Sequence, residues 1–182
     1  MKISYSWLRD YVDVDLDPAK LADTMTLLGL EVDDVEIVDL SLEGVVVGRV
    51  LDVRPHPNAD RLVLCDVDHG SAESAQIVCG APNVAAGQLV AVALPGTTLQ
   101  IPDRSDPAVK APVKIKRTKI RGEASAGMVC AEDELGLSDD HEGIMVLDEW
   151  ARPGMAFADY LTEQGVTIRE AIFDIELTPN RP

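Results

Sequence analysis

From residue 45 to residue 121, apolar residues recur at a spacing near two, and glycine, proline and asparagine cut the pattern into short runs at 45–53, 62–68, 76–79, 89–94 and 113–121. Such alternation sets one side of each run against a core and the other toward solvent, which is the signature of half-buried strands. Five short strands in succession leave exposed edges unless the sheet curls on itself, so a small barrel is expected.

The pattern differs on both sides of this region. At 17–29 the chain reads DPAKLADTMTLLG: Asp17 suits an N-cap, Pro18 the first helical position, Leu21, Met25 and Leu28 share one face, and Gly29 ends the helix. An acidic stretch at 31–43 follows. After Ile144, Met145, Val146 and Leu147 the spacing shifts again, predicting a helix near 155–161 and a strand at 171–177. Below about 40 residues a chain segment rarely folds alone. The two flanks are therefore expected to pack together, with the barrel departing near 39–43 and returning near 148–153. No internal repeat interrupts this reading.

The run VKIKRTKIR at 113–121 is the basic one. Val113 and Ile115 share a face and Lys114 and Lys116 the other, but Ile120 has the opposite parity, so the alternation slips by one residue. A bulge at Arg117 or Thr118 is expected to restore it and to bring Lys114, Lys116, Lys119 and Arg121 to one outward face. With Lys110 and Arg117, the stretch carries a large share of the 16 basic residues in a chain whose formal charge is -16. Such a balance repels nucleic acid at long range, so any RNA contact has to be local. The alternative is a solubilising outer face.

Three cysteines, Cys65, Cys79 and Cys130, have no close C-x-x-C spacing and read as reduced thiols of a cytosolic protein. No signal-peptide run follows the opening MKISYSW and no stretch approaches the length of a membrane span, so a soluble, cytoplasmic protein is expected. Cys65, His69 and Cys79 carry zinc-ligand chemistry, but Cys65 shares a strand face with Val63 and Val67, which favours a core cysteine. His56 and His141 read as surface loop residues. The carboxylates of Glu132, Asp133, Glu134, Asp139 and Asp140 lack the alternation of a calcium loop and read as a solvated face. Nothing pairs a nucleophile with a base, and no phosphate-binding glycine motif occurs. No catalytic or metal residue is assigned.

Several long motifs follow one another in order: HPNADRL at 56–62, IVCGAPNV at 77–84, VAVALPG at 90–96 and KIRGEASAGMVCAEDELGL at 119–137. They resemble the tRNA-binding OB domain of methionyl- and phenylalanyl-tRNA synthetases and of free-standing tRNA-binding proteins. The flanks MKISYSWLRDYV, LGLEVDDVE at 28–36 and FDIELTPNRP at 173–182 look like the bacterial phenylalanyl β subunit, a family that continues past the last motif. The resemblance implies an α+β chain, predominantly β, with a five-stranded OB-fold barrel at 41–149 inserted into a discontinuous small α+β domain made of 1–40 and 150–182. It implies tRNA and the synthetase α subunit as partners, with neither DNA nor membrane. ATP and magnesium are implied for the whole synthetase and no cofactor for this part. The alternatives are a free-standing tRNA-binding protein and a purely structural module without RNA affinity.

Each motif also has a local reading. In PHPNAD at 55–60 the prolines forbid a helix, and Asn58 and Asp60 are expected to fold back on nearby amides. Asn83 in the GAPN turn is an Asx-turn former or a group offered to a nucleotide, the turn being expected. Ser125, among small residues that allow close backbone approach, is expected to cap the helix that ends at Leu135 and Gly136. OB-folds read RNA with their exposed sheet and bordering loops, so Arg61, Asn83, Lys114, Lys116, Lys119, Arg121 and Ser125 are the candidate contacts. Both phenylalanines, all tyrosines and both tryptophans fall outside the barrel runs, so the usual base-stacking platform is missing.

Overall fold

The computed structural model describes residues 1–102, 109–139 and 142–177; Asp140, His141 and the end of the terminal motif lie outside them. The first part of the chain forms β1 (Lys2–Ser4), α1 (Tyr5–Arg9), α2 (Pro18–Leu27) and β2 (Val32–Asp39). The middle forms β3 (Val45–Pro55), β4 (Val63–Asp68), β5 (Ala75–Cys79), β6 (Leu89–Ala93), β7 (Thr98–Pro102), β8 (Lys110–Lys114), β9 (Thr118–Ile120), β10 (Glu123–Ser125), β11 (Met128–Val129), a 3-10 turn at Asp133–Leu135, β12 (Val146–Leu147) and α3 (Phe157–Glu163). The last described strand is β13 (Arg169–Ile175). Two compact units result, one from Met1–Asp39 with the chain from Thr167 onward, the other Leu40–Val166.

In the first unit β13 lies between β1 and β2 in an antiparallel sheet. Ala171, Phe173 and Ile175 alternate inward along β13, and Phe173 and Ile175 pack with Leu21 of α2. Asp17 starts that helix by accepting from the amide of Ala19 at 3.0 Å, with Pro18 next, as its sequence predicts. Leu28 departs from expectation and is 68% exposed. The helix ends at Leu27, the chain turns at Gly29 with φ of 88°, and Leu30 packs on the core instead. The acidic stretch conceals β2: a register shift opposite Asp174 and Ile175 breaks the period of two, so Val32 and Val35 both pack on the core with an odd spacing between them.

The second unit is the barrel. Its sheet runs β11-β6-β3-β4-β5, with β12 also against β6. The long β3 serves two neighbours, pairing with β6 through residues 45–49 and with β4 through 49–55, and a bulge between Val50 and Asp52 bends it from one to the other. The residues just before β11 then meet β5: the amide of Ala126 donates to the carbonyl of Gln76 at 2.9 Å, so the sheet nearly closes. Val50, Cys65, Val67, Ile77, Val90, Val92 and Val129 fill the interior.

The expected single strand at 113–121 is broken. Its first part is β8, paired with β7, a strand that the sequence reading missed. Ile115 then turns inward and is anchored on both sides, donating to Thr97 O at 2.8 Å and accepting from Gly96 N at 2.9 Å. The rest is β9, paired with β10 through the two-residue turn Arg121-Gly122, with φ of 50° and 98°. The parity slip therefore marks a strand break, not a bulge.

The unit ends later than the sequence boundary at 149, because α3 belongs to it. Phe157, Tyr160 and Leu161 are buried, and the loop before the helix is tied to β3 by Val47 N donating to Met155 O at 2.8 Å and Gly154 N to Val47 O at 2.9 Å. Gly154, with φ of 85°, also lies against Gly70, where an added Cβ would come within 2.9 Å of the Gly70 Cα. Replacing Gly154 with alanine combines an unfavourable φ with a backbone collision and is expected to cost about 2 kcal/mol or more. Urea unfolding checks this; an unchanged midpoint would contradict the close approach.

Candidate nucleic-acid interface

The PHPNAD corner following β3 does more than turn the chain. His56 is 5% exposed, which corrects its reading as a surface residue. Its Nδ1 accepts from Asn58 N at 3.0 Å, leaving Nε2 to donate to Ile120 O, also 3.0 Å away. Asn58 does not fold back on a local amide; its Nδ2 donates to Arg121 O at 3.0 Å. The corner thus clamps the β9–β10 hairpin from across the sequence. Sequence reasoning missed both residues as positioning groups, although a histidine between two prolines was the available signal.

Ser125 does not cap the 3-10 turn, which corrects its expected role. It is 3% exposed, accepts from Val78 N at 3.1 Å and donates to Gly127 O at 3.1 Å. Gln76 Nε2 donates to Ala124 O at 2.9 Å alongside. Asn83 is not an Asx-turn former: its amide reaches Ile144, accepting from its N–H and donating to its carbonyl, both at 2.9 Å. The carboxylates near 132–134 are not a solvated face either. Asp133 is buried, Glu134 accepts from Ala131 N at 2.8 Å, and Glu132 accepts from Ser138 Oγ at 2.8 Å, so they build the turn that follows β11. Gly127 serves packing, since a Cβ there would lie 2.9 Å from Ala93 O.

An open groove of about 770 Å³ runs over β5, β9 and the segment after β8. Of the candidate contacts it brings together Lys114, Lys116 and the edge of Ser125. Lys119 is separated from them: its neighbours Thr118 and Ile120 line the groove, so strand alternation sets Lys119 on the opposite side of β9. Arg121 sits at the hairpin tip and Arg61 is exposed in the turn after the PHPNAD corner. The expected single basic face is therefore divided, because β8 and β9 belong to different two-stranded sheets.

Cys79 lines the same groove. The Cys65 thiol donates to it, and the N–H groups of Ala81 and Gly80 add to this against the opposing effect of burial, so its pKa is lowered to about 7. Cys65 moves up in turn, and burial raises Cys130. Cys65 and Cys79 belong to the apolar core, and His69 Nε2 lies 3.1 Å from Ser71 Oγ. Among the described residues the one group of ligand atoms close enough to share a cation is Glu31, Asp33 and Glu176, all exposed and in the other unit. No described helix is long and apolar enough to cross a membrane.

Residues 45–156 match the family described as "Putative tRNA binding domain". Over its whole length the chain is 58% identical to the phenylalanine–tRNA ligase beta subunit of Salinibacter ruber, covering 22% of that protein. It is 50% identical to the corresponding subunit of Chlorobaculum tepidum, again over all of this chain and 21% of that one. The chain thus spans about a fifth of the length of these curated relatives. Among solved structures, the C-terminal domain of Plasmodium vivax p43 aligns with a TM-score of 0.43 at 21% identity, covering 64% of this chain and 59% of that one.

Alkylation reads the groove thiol directly. The thiolate is the nucleophile, so iodoacetamide labelling of Cys79, which borders the groove, is expected to rise with pH through a midpoint of about 7, while Cys65 and Cys130, fully buried and with raised pKa values, stay unlabelled in the folded protein. Peptide mass spectrometry across a pH series measures this. A midpoint at the free-thiol value of about 8.5 would contradict the assignment.

Proposed function

The chain belongs to the tRNA-binding domain family, and from that premise we propose that it is the N-terminal tRNA-binding and structural module of a phenylalanine–tRNA ligase β subunit. The observation that carries this reading is the reach of the similarity: 58% identity runs through both units, not the barrel alone. A solitary tRNA-binding barrel has no need of the sheet made by β1, β13 and β2. The partners follow from the same reading: tRNA on the barrel and the ligase α subunit elsewhere, in the cytoplasm where aminoacylation takes place. ATP and magnesium serve the other parts of the ligase.

The RNA contact is local and electrostatic. A charge of -16 opposes approach of a polyanion, and the groove lysines offset this over a short range. Among the described residues neither Lys114 nor Lys116 is held in an ion pair, so both ammonium groups are available to phosphate. Arg61, Lys119 and Arg121 are further contacts on separate patches. Asn83 and Ser125 act by holding backbone, since their polar atoms are already engaged. The absence of aromatic side chains from the barrel strands favours a second reading, a structural module without RNA affinity.

A tRNA titration at low and moderate salt separates the two. Wild-type chain is expected to bind weakly with a logarithmic salt slope of about -2, as for two or three phosphates. Lys114→Glu with Lys116→Glu is expected to abolish binding without changing the melting curve, because both side chains are exposed. Equal binding by both proteins would exclude the groove, and no binding by wild type at low salt would leave the structural reading.

A further inference from the structure

The groove has more apolar wall than a phosphate track requires. Val78, Ile120 and Met128 line it beside Lys114 and Lys116, and its volume of about 770 Å³ falls in the range of small-ligand sites. Elsewhere a protein holds an unpaired base by stacking it on an aromatic ring, and no barrel strand carries one. Aliphatic side chains laid against a base achieve the same removal of apolar surface from water.

We infer that this groove seats a single unpaired RNA base, with the adjoining phosphate held by Lys114 and Lys116. The inference rests on the RNA-binding reading above and names the element that the site takes. Charge orients the nucleotide. Val78, Ile120 and Met128 offer a flat ring apolar contact and give phosphate nothing. The lysines attract phosphate and give a neutral ring nothing comparable. The groove therefore offers opposite chemistry to the two parts of one nucleotide. The walls are set by structure that is already bonded: Ser125 fixes β10 against Val78, and His56 holds Ile120 through its carbonyl. Little ordering is left to be done on binding.

The test uses the complete chain and three strands of equal length: a ribose–phosphate strand with no bases, the same strand with one cytosine restored, and the fully based RNA. One restored base is expected to tighten binding about tenfold, within the range for one base taken out of water, and the remaining bases to add much less. Ile120→Ala and Val78→Ala are expected to erase most of that gain while leaving the baseless strand unaffected. Equal binding of the baseless and single-base strands, still abolished by the lysine substitutions, would overturn the base seat and leave phosphate binding standing. Gains that grow evenly with every base would also overturn it. Failure of all three strands to bind at low salt would remove the base seat and the RNA reading together.

Discussion

Three hydrogen bonds along the outer edge of β5 bring the barrel near to closure: Ala126 N to Gln76 O, Gln76 Nε2 to Ala124 O, and Val78 N to the hydroxyl of Ser125. Without them β5 would be an open edge, with unpaired amides and a path for water to Cys65, Ile77 and Cys79. Each bond contributes about 1 kcal/mol net, but a buried donor left unpaired costs up to about 3 kcal/mol. Closure also fixes geometry, because the same segment supplies β10 and β11, which border the groove. Gly127 makes the approach possible, since any side chain there would strike Ala93 O.

A second constraint acts from the far end of β3. His56 and Asn58 bond to the carbonyls of Ile120 and Arg121, fastening the β9–β10 hairpin to a corner that its own prolines make rigid. The hairpin is short and mostly exposed, and a two-stranded ribbon alone is marginal in water. Held at both ends, by the corner and by β5, it becomes a fixed wall. Ile115 does the same for the lysines on either side of it, since its buried side chain and paired backbone leave Lys114 and Lys116 turned outward. An acidic chain thus presents cations at a chosen place.

The sequence made the barrel legible because β5 alternates strictly and β3, β4 and β6 are short apolar runs between clear breaks, and the α2 cap because Asp17 and Pro18 have position-specific roles. It concealed β2, whose register shift spoils the period, and β7, which is short and ends at Pro102. The site was less legible than the fold. Lys114 and Lys116 could be chosen from charge, but their separation from Lys119 depends on the inward turn of Ile115, which pairs with Gly96 and Thr97 far away in sequence. His56, Ser125 and Asn83 likewise act through partners remote in the chain, and no local pattern encodes those.

The claim on which the groove depends is that the edge of β5 is shut in solution. Backbone amide exchange followed by NMR tests it at Val78 and Ala126. If the barrel is closed, these two amides exchange as slowly as those in the middle of β3 and β4, through global unfolding. Exchange faster by orders of magnitude, at the rate of an exposed edge, would contradict the account.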